Sequence, residues 1–351
     1  MNVSTEPPVL VRVEGKAGRL TLNRPKVIHA LTLEMCEIML EALLAWRDDP
    51  AIELVVVDHL PGSRGFCAGG DIKAIAKGGK GNGDAAAYFF AVEYSLNALI
   101  FEYPKPYVAL MDGFAMGGGK GLCILGSHRI GTEESVLAMP EGTIGLFPDV
   151  GGGWFLPRLR GELGMWMALT GARVSGLDCL ASDIATHFTP AAQLDALKQA
   201  LGEQGISALE GLRQDAPLSF QDDLARIDQH FALDSVEAII ESLHADGSDW
   251  ALAQVRAMSD KCPMTLKVAH RQLRLGRQAT DFRAWMATEY RIGNRMCRRD
   301  DFREGVRALL IDKDKNPRWS PAQLSDISDS DVDAVFAPLG DVRPEWHPIY
   351  A

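Results

Sequence analysis

The sequence predicts an α/β layered core that gives way to a helical C-terminal region. Two observations carry this. A strand–turn–helix rhythm recurs twice, and each strand runs into glycines, at "GFCAGGD" (65–71) and "MGGGKGL" (116–122). Alternating elements of this kind build layered α/β cores. Beyond Pro190 glycine becomes sparse and helical spacing dominates. The predicted division is residues 1–205 for the core and 206–351 for the mainly helical region.

The elements follow in order. "VLVRVEGKAGRLTLNRP" (9–25) alternates apolar and polar residues around Gly15 and Gly18, which predicts a β-hairpin ending at Pro25. Leu31, Met35, Ile38, Met39, Ala42 and Leu43 have helical spacing, with Thr32 as N-cap and Asp48-Asp49-Pro50 as the stop. "ELVVVDHL" (53–60) is an apolar run rich in β-branched residues, as expected of a buried strand. A turn over 61–71 and a helix opening at "DIKAI" (71–75) come next. "AKGGKGNGD" (76–84) predicts a mobile loop. A helix is expected over 85–103. A strand then runs into the glycine turn over 105–119, and "GKGLCILGS" (119–127) reads as helix. Residues 128–139 read as strand, turn, strand. Further on, "AAQLDALKQALGEQ" (191–204) is helical, Ser235 caps a helix, Pro263 opens another, and "WSP" (319–321) starts an irregular tail.

With 351 residues, 47% hydrophobic and 24% charged, the chain can bury a sizeable core in one large domain or two. A net charge of −11 argues against a nucleic-acid partner, which needs a basic face. A small anion is still admissible, since a few cations or backbone N–H groups suffice. The six cysteines are scattered, with no C-x-x-C pair, which predicts free thiols in a reducing compartment. The first residues lack a basic start followed by an apolar stretch, so no secretory leader is expected. No apolar run reaches the length of a membrane span. A cytoplasmic protein without a membrane partner is the expectation.

The two glycine turns offer backbone N–H groups that a ligand can approach closely. A phosphate-binding P-loop around Gly119-Lys120 would need Gly at 114 and Ser or Thr at 121; the chain has Phe114 and Gly121. Two converging N–H donors would instead suit an oxyanion on a carbonyl. "AMPEGTIGLFPDVGGG" (138–153) places Glu141 and Asp149 among apolar residues and glycines. There is no G-x-S-x-G elbow and no H-E-x-x-H zinc motif. His29 and His128 read as structural or surface residues. From residue types alone the structural roles stay open: the glycines as tight turns, Asp149 as a turn cap, Glu141 as a first-turn helix acid, Glu93 on a solvated helix face. The basic run "RMCRRDDFR" (295–303) reads as surface ion pairs.

Taken together, "LNRPKVIHALT" (22–32), "FCAGGDI" (66–72), "MGGGKGL" and "AMPEGTIGLFPDVGGGWFLPRL" (138–159) resemble the crotonase (enoyl-CoA hydratase/isomerase) superfamily. The likeness continues through "EYRIGNRMCRRDDFREGVRALLIDKDKNPRW" (289–319). Within the superfamily it is nearest to the group that hydrolyses 3-hydroxyisobutyryl-CoA. The resemblance implies a spiral of ββα turns with a helical C-terminal region. It implies an acyl-CoA substrate, with coenzyme A as part of that substrate and no separate cofactor or metal. Gly70 and Gly118 match the oxyanion-binding N–H pair. Ala68 and Asp71 match positions that hold the CoA adenine region, mostly through backbone. Hydratases of the superfamily carry two catalytic glutamates; Glu141 matches one, and Gly121 stands where the other would be. The hydrolase pattern pairs Glu141 with Asp149, and Glu93 matches a substrate-contacting glutamate. Trp154 and Phe155 are expected to wall a small apolar acyl pocket. Homo-oligomers and a place in valine breakdown are also implied. The alternatives are hydration or isomerisation of an enoyl-CoA, or acyl-CoA binding without catalysis.

Overall fold

The expected hairpin forms: β1 (Val9–Glu14) pairs antiparallel with β2 (Ala17–Leu22). The structure is a computed structural model and describes residues 6–72, 83–340 and 345–350. Contacts within the chain gather into two compact units. The first comprises Met1–Asp71, Ser95–Leu137 and Val174–Ser219. The second comprises Ile72–Tyr94, Ala138–Arg173 and Phe220–Ala351.

In the first unit β2 continues the sheet through parallel partners. These are β3 (Leu54–His59), β4 (Tyr107–Met111), β6 (His128–Gly131) and β9 (His187–Phe188). Among the described residues this makes a six-stranded sheet in the order β1-β2-β3-β4-β6-β9. Parallel neighbours require crossovers. The helix Leu33–Arg47 supplies the one between β2 and β3, and Thr32 caps it by accepting from the Met35 N–H at 3.3 Å. The helix Asp84–Phe101 lies between β3 and β4 in the chain. β3 and β4 are buried along almost their whole length, as their apolar runs predict. Alternate residues Leu54, Val56, Val108 and Leu110 share one core with Leu194, Leu197 and Leu201 of the helix Leu194–Gln204. Buried Asp58 ties that helix to the sheet, meeting Arg19 at 2.6 Å and Lys198 at 3.4 Å. A three-stranded sheet joins β5 (Phe114–Met116), β7 (Val136–Ala138) and β8 (Arg173–Ser175).

The second unit carries the helical C-terminal region. Ser235 caps the helix Val236–Asp246 through the Ala238 N–H at 3.1 Å, and Pro263 opens the helix Pro263–Gln278. The helix Phe282–Met296 follows, capped by Asp281. Among the described residues no helix is long and apolar enough to cross a membrane.

Two expectations change. The helix over 119–127 is only Gly118–Gly121, after which 3₁₀-like bonds from Leu122 to Gly119 and from Cys123 to Lys120 carry the chain on as turns. Glycine supplies three of those four helical residues, and it is a poor helix former. The irregular tail contains a further helix, Asp329–Phe336, started by a capping box of Ser328 and Asp331. Residues 73–82, with most of the loop expected over 76–84 and the helix expected from Asp71, lie outside the described residues.

Candidate active site

In the first unit the segment after β3 is fastened on both sides. Cys67 donates its N–H to Phe114 at 2.8 Å, and Met116 donates back to Cys67 at 3.0 Å. On the other side Ala68 donates to Ile28 at 2.8 Å, Leu31 donates to Gly69 at 2.8 Å, and Asp71 donates to Leu31 at 2.7 Å. The last two bonds flank Gly70 as in a parallel bridge to Leu31, so the N–H of Gly70 itself points away from Leu31. Gly118 is the first residue of its short helix, where backbone N–H groups have no partner within the helix. The two turns lie close: a Cβ on Gly69 would sit 3.2 Å from the Gly118 nitrogen. A Cβ on Gly119 would sit 2.5 Å from the Cys67 carbonyl oxygen, so only glycine allows this approach. The turns therefore bring Gly70 and Gly118 into one neighbourhood.

Ala68 is exposed, and its N–H goes to Ile28. Asp71 is half-buried and pairs with Arg24 at 3.1 Å. His29 is fully buried and structural, accepting the Arg24 N–H at Nδ1 over 3.0 Å. Burial, and next the neighbouring His59, depress it to about 4. His128 stacks on His187.

In the second unit Glu141 sits in the 3₁₀ turn Pro140–Ile144, with Pro140 at its first position. It is indeed a first-turn acid, but only 3% exposed. Asp149 is 4% exposed and precedes two left-handed residues, Val150 (φ 49°) and Gly151 (φ 80°). Its Oδ2 accepts the Tyr94 hydroxyl at 3.3 Å. Glu93 is 1% exposed, so its solvated-face reading fails. The helix carrying it is apolar on most sides, which spacing alone does not reveal. Burial pushes the Tyr94 phenol well above its usual range, and the charges of Asp149, Glu289 and Glu93 push it the same way. Three buried acids thus act on one phenol.

Sequence reasoning missed Tyr94, Gln272, Trp285 and Glu289. Glu289 opens a segment that carries the family likeness, but nothing local marks it as a partner of the 148–153 loop. It accepts from the N–H groups of Gly151 at 2.8 Å and Gly153 at 2.9 Å. Trp154 stacks under the Arg158 guanidinium at 3.6 Å and meets Phe282 edge-on. The basic run forms ion pairs as expected, among them Arg298–Asp84 at 2.7 Å and Arg299–Asp301 at 3.1 Å.

Residues 17–336 match the enoyl-CoA hydratase/isomerase family model. Over 344 residues the chain is 42% identical to "3-hydroxyisobutyryl-CoA hydrolase, mitochondrial" of Xenopus tropicalis, covering 94% of this chain and 89% of the relative. It is 43% identical over 345 residues to the protein of the same name from Gallus gallus, covering 95% and 89%. The fold matches the solved structure of a carnitinyl-CoA dehydratase from Mycobacterium thermoresistibile with a TM-score of 0.92 and 38% identity, over 98% of this chain and 99% of that one. The mitochondrial names overturn the cytoplasmic expectation. Scattered thiols report a reducing surrounding without saying which compartment supplies it.

Proposed function

This chain belongs to the enoyl-CoA hydratase/isomerase family, and we propose that it hydrolyses a short 3-hydroxyacyl-CoA thioester, 3-hydroxyisobutyryl-CoA above others, to the free acid and CoA. The observation that carries this reading is a pair of buried carboxylates, Glu141 and Asp149, on a chain whose Gly121 has no side chain. Hydration by two glutamates lacks its second acid here. The hydrolase pattern that the sequence resembles pairs Glu141 with Asp149 instead.

The chemistry divides among the residues as follows. The N–H groups of Gly70 and Gly118 take the oxyanion that forms when the thioester carbonyl is attacked; one such donor contributes about 3–4 kcal/mol. Glu141 acts on the carbonyl, either by direct attack or by taking a proton from water. Asp149, fixed by the Tyr94 hydroxyl, orients water and handles the proton. The water oxygen ends on the acyl carbon, the C–S bond breaks, and the sulfur leaves as CoA thiol. Ala68 and Asp71 hold the nucleotide end of CoA, and Glu93 contacts the acyl group. A branched 3-hydroxyacyl substrate places the reaction in valine breakdown.

The test is thiol release from 3-hydroxyisobutyryl-CoA and 3-hydroxypropionyl-CoA, with wild type, Glu141→Gln and Asp149→Asn in parallel. The expected result is release by wild type and a loss of about 100-fold or more in each variant. A dehydratase reading is favoured by the name of the Mycobacterium structure. Water removal from the same 3-hydroxyacyl-CoA without thiol release would support that reading instead. Binding with neither product would leave an acyl-CoA-binding protein.

A further inference from the structure

Among the described residues, four N–H donors converge on the Glu289 carboxylate, which is fully buried. They are the backbones of Gly151 (2.8 Å) and Gly153 (2.9 Å), the indole of Trp285 (2.9 Å) and the amide of Gln272 (3.2 Å). A carboxylate accepts all four, having acceptor sites and no hydrogens. Gln272 also donates to the Pro148 carbonyl at 2.8 Å. The loop is thus tied on both sides of Asp149.

The loop needs such ties. Val150 sits at φ 49°, a left-handed conformation that β-branched residues seldom adopt. Strain of this kind persists only where the surroundings over-determine it. The same helix acts a second time one turn later. Gly293, four residues after Glu289 and so on the same helix face, lies under Tyr94; a Cβ there would be 3.1 Å from the Tyr94 hydroxyl oxygen. Tyr94 is the residue that donates to Asp149.

We infer that Glu289 is a positioning residue for Asp149, holding the 148–153 loop by its carboxylate while Gly293 leaves room for the Tyr94 hydroxyl. The inference rests on the proposed hydrolase only through the role given to Asp149. Glutamine at 289 fills the same volume but turns an NH₂ toward N–H donors, so it breaks the anchor without opening a cavity.

The experiment compares full-length wild type, Glu289→Gln, Gly293→Ala, Asp149→Asn, and the Glu289→Gln and Gly293→Ala changes each combined with Asp149→Asn. Hydrolysis of 3-hydroxyisobutyryl-CoA is measured at a temperature where circular dichroism shows each variant folded. Glu289→Gln should lower kcat about 10- to 100-fold, the scale of a small misplacement, with KM unchanged within about twofold. In the Asp149→Asn background it should add little, because residues acting as a unit are not additive. Amide exchange should quicken in 148–153 and not in β3 and β4. An unchanged kcat, or the same loss on both backgrounds, overturns the inference. If Glu289→Gln does not fold, Gly293→Ala decides, since alanine favours the helix. A fall in kcat that vanishes in the Asp149→Asn background supports the inference, and an unchanged kcat overturns it. Should wild type release no thiol, the hydrolase reading falls, and exchange in 148–153 alone judges the anchor. Should Asp149→Asn keep full kcat, both the acid's role and its positioning are refuted.

Discussion

The Tyr94 hydroxyl lies 3.3 Å from Oδ2 of Asp149, with both side chains buried. Burial foremost, and then the surrounding acids, raise the phenol well above its ordinary value of 10.0, so Tyr94 stays protonated and donates. Tyr94→Phe removes that donor. The variant should lose about 1.5–3 kcal/mol of stability, as expected for a hydrogen bond to a charged group. Its kcat should fall with little change in KM. Urea unfolding and steady-state thiol release check both; a variant equal to wild type in both would exclude the bond's importance. An ultraviolet titration of the native protein just above pH 10 should look the same with or without Tyr94.

His29 makes stability depend on acid. Its folded value is depressed from 6.5 to about 4, by burial first and His59 second. Below 6.5 the unfolded chain takes up a proton that native His29 refuses, so the stability held above that value is lost as pH falls toward about 4. Asparagine accepts the Arg24 N–H and tolerates the left-handed backbone found here (φ 52°). His29→Asn should therefore lose less stability than wild type between about pH 7 and about pH 5, where a histidine titrates. Urea midpoints at the two values measure this, and equal losses would remove His29 from the account.

Gly119→Ala would drive a methyl to 2.5 Å from the Cys67 carbonyl oxygen and Cβ. Backbone must shift to admit it, at about 1–3 kcal/mol. The shift displaces the neighbouring Gly118 N–H. A variant that folds and keeps wild-type kcat would separate that N–H from the reaction.

All six cysteines are buried, and burial raises the thiols of Cys123 and Cys179 to about 12 and that of Cys262 to about 11. The thiolate is the reactive form. The native protein should give almost no rapid reaction with a disulfide reagent, and the denatured chain should give six thiols. A rapid native signal would contradict the burial and would also mask CoA release.

Elements closed by neighbouring residues were legible. Thr32, Ser235 and Pro263 start helices where their types predict, because a cap acts across three or four residues. The helix Asp329–Phe336 also had a local signal, the Ser328–Asp331 box, hidden in a tail that looked irregular. Glycine-rich "GKGLCILGS" misled because apolar spacing does not report the cost of glycine in a helix. Glu93 was ambiguous because a helix buried on most sides shows no polar face to contrast with.

By itself the sequence determined the α/β core, the hairpin, the capped helices, and the two glycine turns and two acids that carry the family likeness. These follow from residue types and short-range spacing. The tertiary structure alone decided that Glu289 anchors the loop of Asp149, that Gln272 ties Pro148, and that Tyr94 donates to Asp149. These pairs lie 138, 124 and 55 residues apart in the chain. Such bonds have no period and no motif. They exist only because folding brings buried donors to buried acceptors, which in a dry interior must find one another.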